Sequence, residues 1–249
     1  MSRYLVISDL HSNLEALDAV LQASAKQKCD AVLVLGDLVG YGADPNAVAK
    51  RIRELKPAVV VRGNHDKVAA GLETAEDFNP MARAAVDWTR RALNEETLEY
   101  LRALPAGPLL VDGQLEVCHG SPLDEDLYVV ADIDAIRSID ATRRPVCLFG
   151  HTHVAMCATL DAGRRLDIEA PQGHPEFDVQ LEPSVKYLIN PGSVGQPRDG
   201  DSRAAYAIAD LDRHVVTLYR VAYPIEAAQK KILEAGLPPM LAYRLGMGR

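Results

Sequence analysis

The sequence predicts an α/β protein, one domain built from two sheets with helices outside. Three observations predict it. The first third alternates short apolar runs with helical periodicity, and the second half is a series of short strands separated by turns. Of the 249 residues, 48% are hydrophobic and 25% charged, the balance of a globular chain. A chain of this length hides roughly 70–75% of its unfolded surface on folding, so it needs neither a disulfide staple nor a partner. Residues 1–249 therefore read as one domain, with 79–104 as a helical lid or edge and 224–249 as a helical tail.

Taken in order, residues 4–8 are a run of strand length. Ser12 and Glu15 have the S-x-x-E spacing of a capping box, and Leu14, Leu17 and Leu21 fall on one face of the helix that follows. Residues 31–35 are a second strand, closed by Gly36-Asp37. Asp44-Pro45 reads as N-cap and N1 proline of a helix to Leu55, and residues 58–61 as a third strand. Strand, helix, strand, helix, strand is the pattern of βαβ units and a parallel sheet. Residues 79–104 read as two helices, the first capped by Asn79-Pro80. Residues 108–111 and 115–119 flank Asp112-Gly113, a hairpin signal. Residues 146–149, 154–159, 165–168, 186–189, 205–209 and 215–221 are further short strands, 170–184 is a proline-rich loop, and a helix covers 224–235.

Composition excludes several functions. Lys and Arg number 27 against 35 Asp and Glu, a formal net charge of -8. Nucleic acid and anionic membranes demand a basic footprint that this chain lacks, so neither partner is expected. Any positive charge for binding anions must come from elsewhere than the side chains. Four cysteines without C-x-x-C spacing read as buried thiols of a reduced, cytoplasmic protein. Neither a signal peptide nor a membrane span is apparent, and self-association is left open.

The chemistry-bearing residues cluster at strand ends. Five of the seven histidines lie in short blocks: Asp9-x-His11, Arg62-Gly63-Asn64-His65-Asp66, Cys118-His119-Gly120 and Gly150-His151-x-His153, with Gly36-Asp37 as a further donor block. In open α/β sheets ligands bind beyond the carboxyl ends of strands, so these blocks would meet in one crevice. Oxygen and imidazole donors without thiolate suit Mn, Fe, Ni or Zn. On an extended segment residues i and i+2 point the same way, which would let Asp9 and His11, and His151 and His153, converge. Each block also has an ordinary reading: Asp9 as a helix cap, Gly36-Asp37 and Gly63-Asn64-His65-Asp66 as turns, His119 as a strand-end histidine. That ordinary account must explain all five blocks separately.

These blocks, with Asn190-Pro191-Gly192-Ser193 and Pro197-Arg198, resemble the signature of the calcineurin-like metallophosphoesterase superfamily over roughly residues 1–220, and within it the small single-domain bacterial and archaeal phosphodiesterases and phosphatases. The resemblance implies a four-layer α/β/β/α sandwich of two mixed sheets flanked by helices. It implies two divalent ions, Mn2+ first among Mn, Fe, Ni and Zn. Asp9, His11 and His153 would hold the first, Asn64, His119 and His151 the second, and Asp37 would bridge them. Four positive charges against two carboxylates leave a surplus of two for a phosphate group. Hydrolysis of small phosphodiesters or phosphomonoesters would proceed by in-line attack of a metal-bridging hydroxide.

By the same resemblance His65 is a catalytic group over the phosphate, either acid to the leaving group or hydrogen-bond donor to a phosphoryl oxygen. Asp66 would hold its imidazole or simply finish the turn. Arg198 would clamp a phosphate oxygen or lie on the surface, and Tyr41 would stack on the substrate or pack in its loop. Cys118 should pack inward beside His119, His174 and His214 should be exposed or structural, and Asp124-Glu125-Asp126 should be a solvated run. Segments 79–104 and 170–184 should line the substrate mouth.

Departures narrow the choice. The Ser/Thr protein-phosphatase branch has an Arg after its second Asp and a Glu after Asn-His, where this chain has Val39-Gly40-Tyr41-Gly42 and Asp66. The alternatives are a nucleotide polyphosphate or phosphoprotein phosphatase of the same superfamily, or a non-catalytic scaffold that retains the fold.

Overall fold

Two six-stranded sheets stack face to face in the computed structural model of the chain, which describes residues 2–171 and 173–249. The chain runs β1 (Arg3–Ile7), α1 (Leu14–Ser24), β2 (Ala31–Val34), α2 (Pro45–Leu55) and β3 (Val59–Val60), then α3 (Asn64–Ala69), α4 (Pro80–Ala92) and α5 (Glu95–Ala103). A hairpin of β4 (Leu109–Leu110) and β5 (Leu115–Val117) precedes α6 (Asp132–Ala141), β6 (Val146–Leu148), β7 (Met156–Leu160) and β8 (Leu166–Glu169). The last third comprises β9 (Glu176–Gln180), β10 (Lys186–Asn190), β11 (Ala204–Asp210), β12 (Val215–Val221), α7 (Ile225–Glu234) and α8 (Pro239–Met247).

One sheet has the order β3-β2-β1-β11-β12-β9 and the other β4-β5-β6-β10-β7-β8. Both are mixed. β1, β2 and β3 are parallel while β11 joins β1 antiparallel, with Leu5 opposite Ile208. β5, β6 and β10 are parallel while β7 joins β10 antiparallel.

Side-chain alternation explains the four layers. In β1, Leu5 and Ile7 face the helices while Val6 faces the other sheet; in β6, Val146 and Leu148 face the first sheet while Cys147 faces α6. A strand buried on both faces reads as an unbroken apolar run, and this is why both strands were legible. Between the sheets lie Val6, Leu33, Leu115, Val117, Leu148 and Ile189. On the first sheet's outer face, Leu17 of α1, Ile52 of α2, Val86 of α4, Leu101 of α5, Ile232 of α7 and Leu241 of α8 share one cluster. On the second sheet's outer face, Ala135 and Ile139 of α6 pack on Phe149 and Leu188. The helices of 79–104 thus belong to the helical layer, and 224–249 holds two helices, both packed on it.

Local chemistry corrects three expectations. The cap of α1 is Asn13, whose Oδ1 accepts the Ala16 N–H at 3.1 Å, and Ser12 instead has left-handed backbone with φ 54°. Gly63-Asn64-His65-Asp66 is a helix start rather than a turn: Asp66 Oδ2 reaches back to the Gly63 N–H at 3.0 Å. The same device, Asp134 Oδ2 on the Ala131 N–H at 3.0 Å, begins α6, a helix that the sequence reading did not assign. The loop read over 170–184 contains β9, whose Phe177 and Val179 alternate into the inter-sheet core; Gln172 lies outside the described residues.

All four cysteines are free, and Cys118, Cys147 and Cys157 are buried; Cys118 packs in the outer cluster with Cys147, their sulfurs 3.7 Å apart. His174 and His214 are exposed. Among the described residues, no helix is long and apolar enough to cross a membrane.

Candidate metal centre

Five parallel strands end on the same rim, and each hands its donor block to it. Asp9 and His11 follow β1, Asp37 follows β2, Asn64 and His65 open α3 after β3, His119 follows β5, and His151 and His153 follow β6. Ligand atoms of Asp9, His11, Asp37 and His153 lie within 4.8 Å of one another, as do those of Asp37, His119 and His151. Asp37 belongs to both groups. All seven of these blocks' donors except Asn64 are buried.

The convergence does not come from extended backbone. Asp9, His11, Asp37, His151 and His153 all have left-handed φ, between 46° and 67°. Non-glycine residues adopt this region at a cost of roughly 1–3 kcal/mol each and keep it only where their surroundings impose it. The loops are indeed tied. His11 N–H donates to Asp37 O at 2.9 Å, Asp9 N–H to Gly36 O at 3.0 Å, and His151 N–H to both oxygens of the Asp9 carboxylate at 3.1 Å. Gly36 has φ 96°, and a Cβ there would sit 2.7 Å from both the Gly63 nitrogen and His119 Nδ1. The Asn190-Pro191-Gly192-Ser193 segment is a clamp: Asn190 Nδ2 donates to Gly150 O at 2.7 Å, and Ser193 Oγ donates to Asp9 O at 2.8 Å.

Tautomers follow from the backbone. A carbonyl only accepts, so a ring nitrogen against one carries the proton. Nδ1 of His11 meets Val39 O at 3.1 Å, Nδ1 of His119 meets Leu35 O at 2.7 Å, and Nδ1 of His153 meets Gln196 O at 2.6 Å. His151 uses Nε2, 3.1 Å from Asp126 O. The remaining nitrogens of His11, His151 and His153 therefore present lone pairs inward, while Nε2 of His119, the one imidazole whose pKa is raised, keeps a proton that a cation must displace. His11 Nε2 lies 3.0 Å from His153 Nε2 and 3.4 Å from Asp37 Oδ2; His153 Nε2 lies 3.3 Å from Asp9 Oδ1. His119 Nε2 lies 3.2 Å from Asn64 Oδ1 and 3.5 Å from Asp37 Oδ2. Buried acceptors that face only acceptors lack the partners that burial requires, and a cation supplies them. The donor set fits divalent metal.

Electrostatics agree. Burial pushes the Asp9 carboxyl up to about 7, against the pull of His119 and with the help of Asp37. Burial disfavours charge on His119, but Asp37 and then Asp9 outweigh it and raise its pKa to about 10. Burial opposes ionisation of Asp37 too, yet His119 and His65 hold it well below the carboxylate range. Burial keeps His11 and His153 well below the ordinary imidazole value and lowers His151 to about 3.

His65 lies against this cradle without joining it. Its ring centroid is 5.0 Å from His11, 4.4 Å from Tyr41 and 4.7 Å from Phe78, and its Nδ1 has no hydrogen-bond partner. Burial first, with Arg198 adding, brings its pKa down to about 4 against Asp37. Gly40 makes room for the ring, since a Cβ there would sit 2.5 Å from His65 Nδ1.

Asp66 does not orient the imidazole. Its Oδ1 accepts the Val39 N–H at 3.1 Å and its Oδ2 the Gly63 N–H, so it staples the Asp37 loop to the start of α3. Tyr41 is 6% exposed, packed between His11 and His65, with the Arg198 guanidinium 5.7 Å above its ring. Arg198 donates to Gln196 Oε1 at 3.1 Å and has a buried Nε without a partner.

Two features of the surroundings differ from expectation. The run 124–126 is ion-paired rather than merely solvated: Arg62 grips Glu125 with two bonds of 3.0 and 2.8 Å, and Lys67 Nζ lies 2.5 Å from Asp126 Oδ2. Of the two segments assigned to the mouth, only 79–104 reaches the cleft beside His65, through Asn79 and Ala82, whereas Asp178, Val179, Gln180 and Glu182 line a groove at the rim shared by β7, β8 and β9. Sequence reasoning missed Tyr128, whose ring centroid lies 3.8 Å from that of His151, and Phe78. Neither sits in a block of donors, so no spacing pointed to them.

Comparison with known proteins adds a family. The profile of the calcineurin-like phosphoesterase superfamily domain matches residues 3–214. An uncharacterised protein of Methanocaldococcus jannaschii is 35% identical, over 100% of this chain and 99% of its own. The phosphodiesterase YfcE of Escherichia coli K12 is 24% identical over 85% of this chain and 89% of its own. A crystal structure of a metallophosphoesterase from Sphaerobacter thermophilus is 39% identical and superposes with a TM-score of 0.87, covering 100% of this chain and 99% of that one.

Proposed function

Because the chain belongs to the calcineurin-like phosphoesterase superfamily, we propose that it is a dinuclear metal-dependent hydrolase of small phosphodiesters or phosphomonoesters. The observation that carries the reading is the inward-facing acceptor cradle, above all the two unprotonated nitrogens of His11 and His153 set 3.0 Å apart beside two carboxylates.

In this reading Asp9, His11 and His153 hold one divalent ion, Asn64, His119 and His151 the other, and Asp37 serves both. The nitrogen and oxygen donors favour Mn2+, with Fe, Ni or Zn as other occupants. Bound there, the ions supply Lewis acidity toward a phosphoryl oxygen and lower the pKa of water.

The chain's own groups do the remaining work. Arg198, with an unspent Nε, anchors a phosphate oxygen, and Gln196 and Tyr41 steady its guanidinium. His65 is neutral near pH 7 and donates a hydrogen bond to a phosphoryl or leaving oxygen; it is not charged beforehand. Tyr41 and Phe78 flank its ring and exclude water from it. The reading includes a single catalytic domain, a cytoplasmic setting compatible with four free thiols, and a small phosphate ester rather than nucleic acid as partner.

The test is to strip the protein with chelator, reload it with Mn2+ and follow bis-p-nitrophenyl phosphate beside a His65→Ala variant. Turnover that depends on metal and falls in the variant with metal content unchanged is the expected result. Absence of turnover with Mn, Fe, Ni and Zn alike defeats the reading and favours a scaffold.

A further inference from the structure

A cleft of about 190 Å³ opens directly beside the cradle, reached past Asn64, His65 and His151. Its inner walls are aromatic. Phe78 lies 4.7 Å from the His65 ring, and Tyr128 stacks at 3.8 Å and 35° on His151 while remaining 44% exposed. Val68 and Ala82, both buried, complete an apolar floor.

The outer wall carries charge, and its sign is decided by Lys67. That lysine would suit a second phosphate group if its ammonium were free. It is not. Its Nζ lies 2.5 Å from Asp126, 2.6 Å from Glu73 and 3.2 Å from Glu125, so three carboxylates take its three protons. Glu125 is further neutralised by Arg62. Asp77 adds another carboxylate on the same wall. Lys67 therefore stands against Glu73, Asp77 and Asp126, and the wall keeps a negative excess.

Resting on the phosphoesterase reading, we propose that this cleft is the subsite for the ester's organic group and selects a planar group that carries no negative charge. The phosphate sits at the cradle by Arg198, and the organic group extends past His65 between Phe78 and Tyr128. Flat rings gain from stacking on aromatic walls, while an anionic substituent meets the carboxylate rim.

The experiment uses the Mn-loaded full chain and three matched esters: phenyl phosphate, 4-(aminomethyl)phenyl phosphate and 4-carboxyphenyl phosphate. Expected is a kcat/KM for the carboxyphenyl ester roughly tenfold below that of the other two, from like-charge repulsion in a partly solvated cleft. Asp77→Lys, an exposed substitution, should narrow that gap, and Phe78→Ala should raise KM about tenfold on phenyl phosphate, from lost stacking area. Equal kcat/KM for all three esters, or an unmoved KM in Phe78→Ala, overturns the subsite while leaving the phosphoesterase reading in place. Failure to hydrolyse any of them or bis-p-nitrophenyl phosphate overturns both.

Discussion

Asp37 accepts the backbone N–H of His65 on Oδ1 at 2.9 Å and keeps Oδ2 for the cradle, 3.4 Å from His11 Nε2 and 3.5 Å from His119 Nε2. One carboxylate thus fixes the start of α3 and faces both groups of donors. Asp37→Ala should release both metal equivalents and lower kcat by at least about 10³-fold, whereas Asp37→Asn, which retains an acceptor for the His65 N–H, should fold with the wild-type melting profile more closely than Ala. Metal analysis after gel filtration decides the matter: an alanine variant that still carries two equivalents excludes the shared carboxylate.

The metal-free protein should lose stability as pH falls from about 6.5 toward 4. Four buried imidazoles are held neutral: His65 at about 4, His151 at about 3, His11 and His153 well below their ordinary value. At pH 5 the unfolded chain protonates all four and the folded chain essentially none. Asp9 and Asp66 act the other way, since burial raises both to about 7 and the folded chain then holds two protons that the unfolded chain has lost. Four less two leaves the unfolded state about two protons richer at pH 5, so stability rises with pH in this window. Thermal melts of chelator-treated protein from pH 4 to 6.5 should show it; a flat profile contradicts the neutral imidazoles.

Above pH 6.5 the sign reverses for one group. His119, raised to about 10, is protonated in the folded chain and neutral in the unfolded one, so its contribution to stability is full below about 6.5 and disappears as pH climbs to about 10. Metal must displace that proton. Loading Mn2+ at pH 8 should therefore release about one proton, measured by calorimetry in buffers of different ionisation enthalpy, and His119→Ala should abolish the release.

Ser193 joins the two halves of the cradle. Its Oγ donates to Asp9 O at 2.8 Å and accepts the Gln196 N–H at 2.7 Å, and Gln196 O in turn fixes His153 Nδ1 at 2.6 Å. Ser193→Ala leaves a buried carbonyl and a buried N–H without this partner, a cost of about 1–3 kcal/mol. Support behind metal ligands typically tunes affinity about 10–100-fold, so Mn2+ affinity should fall with the melting temperature. Unchanged affinity would show that the Asp9 and His153 loops hold their shape independently.

How much of this was legible depends on what each feature needs from the sequence. The strands and their donor blocks were, because parallel strands buried on both faces leave apolar runs, and the loops beyond them carry the polar residues. The left-handed backbone at Asp9, His11 and His153 was not, because an alternating D-x-H or H-x-H looks extended on paper and only tertiary hydrogen bonds reverse it. The role of Asp66 stayed open between two alternatives for a related reason: its neighbour in sequence is His65, but its bonds go to Gly63 and Val39. β9 had a readable F-x-V alternation that the surrounding prolines masked. Phe78 and Tyr128 reach the site through folding alone, 13 and 23 residues in sequence from the rings they pack on, His65 and His151.

Lys67 ties the two sides of the centre from outside it. It is 7% exposed, sits on α3 just after Asn64 and His65, and bonds Asp126, whose carbonyl accepts the His151 Nε2–H at 3.1 Å and leaves Nδ1 for the cradle. Removing the ammonium strands carboxylates that are partly solvated, Asp126 being 42% and Glu73 45% exposed, so the loss of stability should be about 1–2 kcal/mol rather than the larger figure for a fully buried pair. The effect on the site should be more selective than that. In Lys67→Met the 124–126 loop loosens and His151 loses its fixed tautomer, so the ion held by Asn64, His119 and His151 weakens while that of Asp9, His11 and His153 does not. A titration with Mn2+ should resolve one unchanged and one weakened equivalent. Two equally weakened equivalents would show that Lys67 supports the fold as a whole and not His151 in particular.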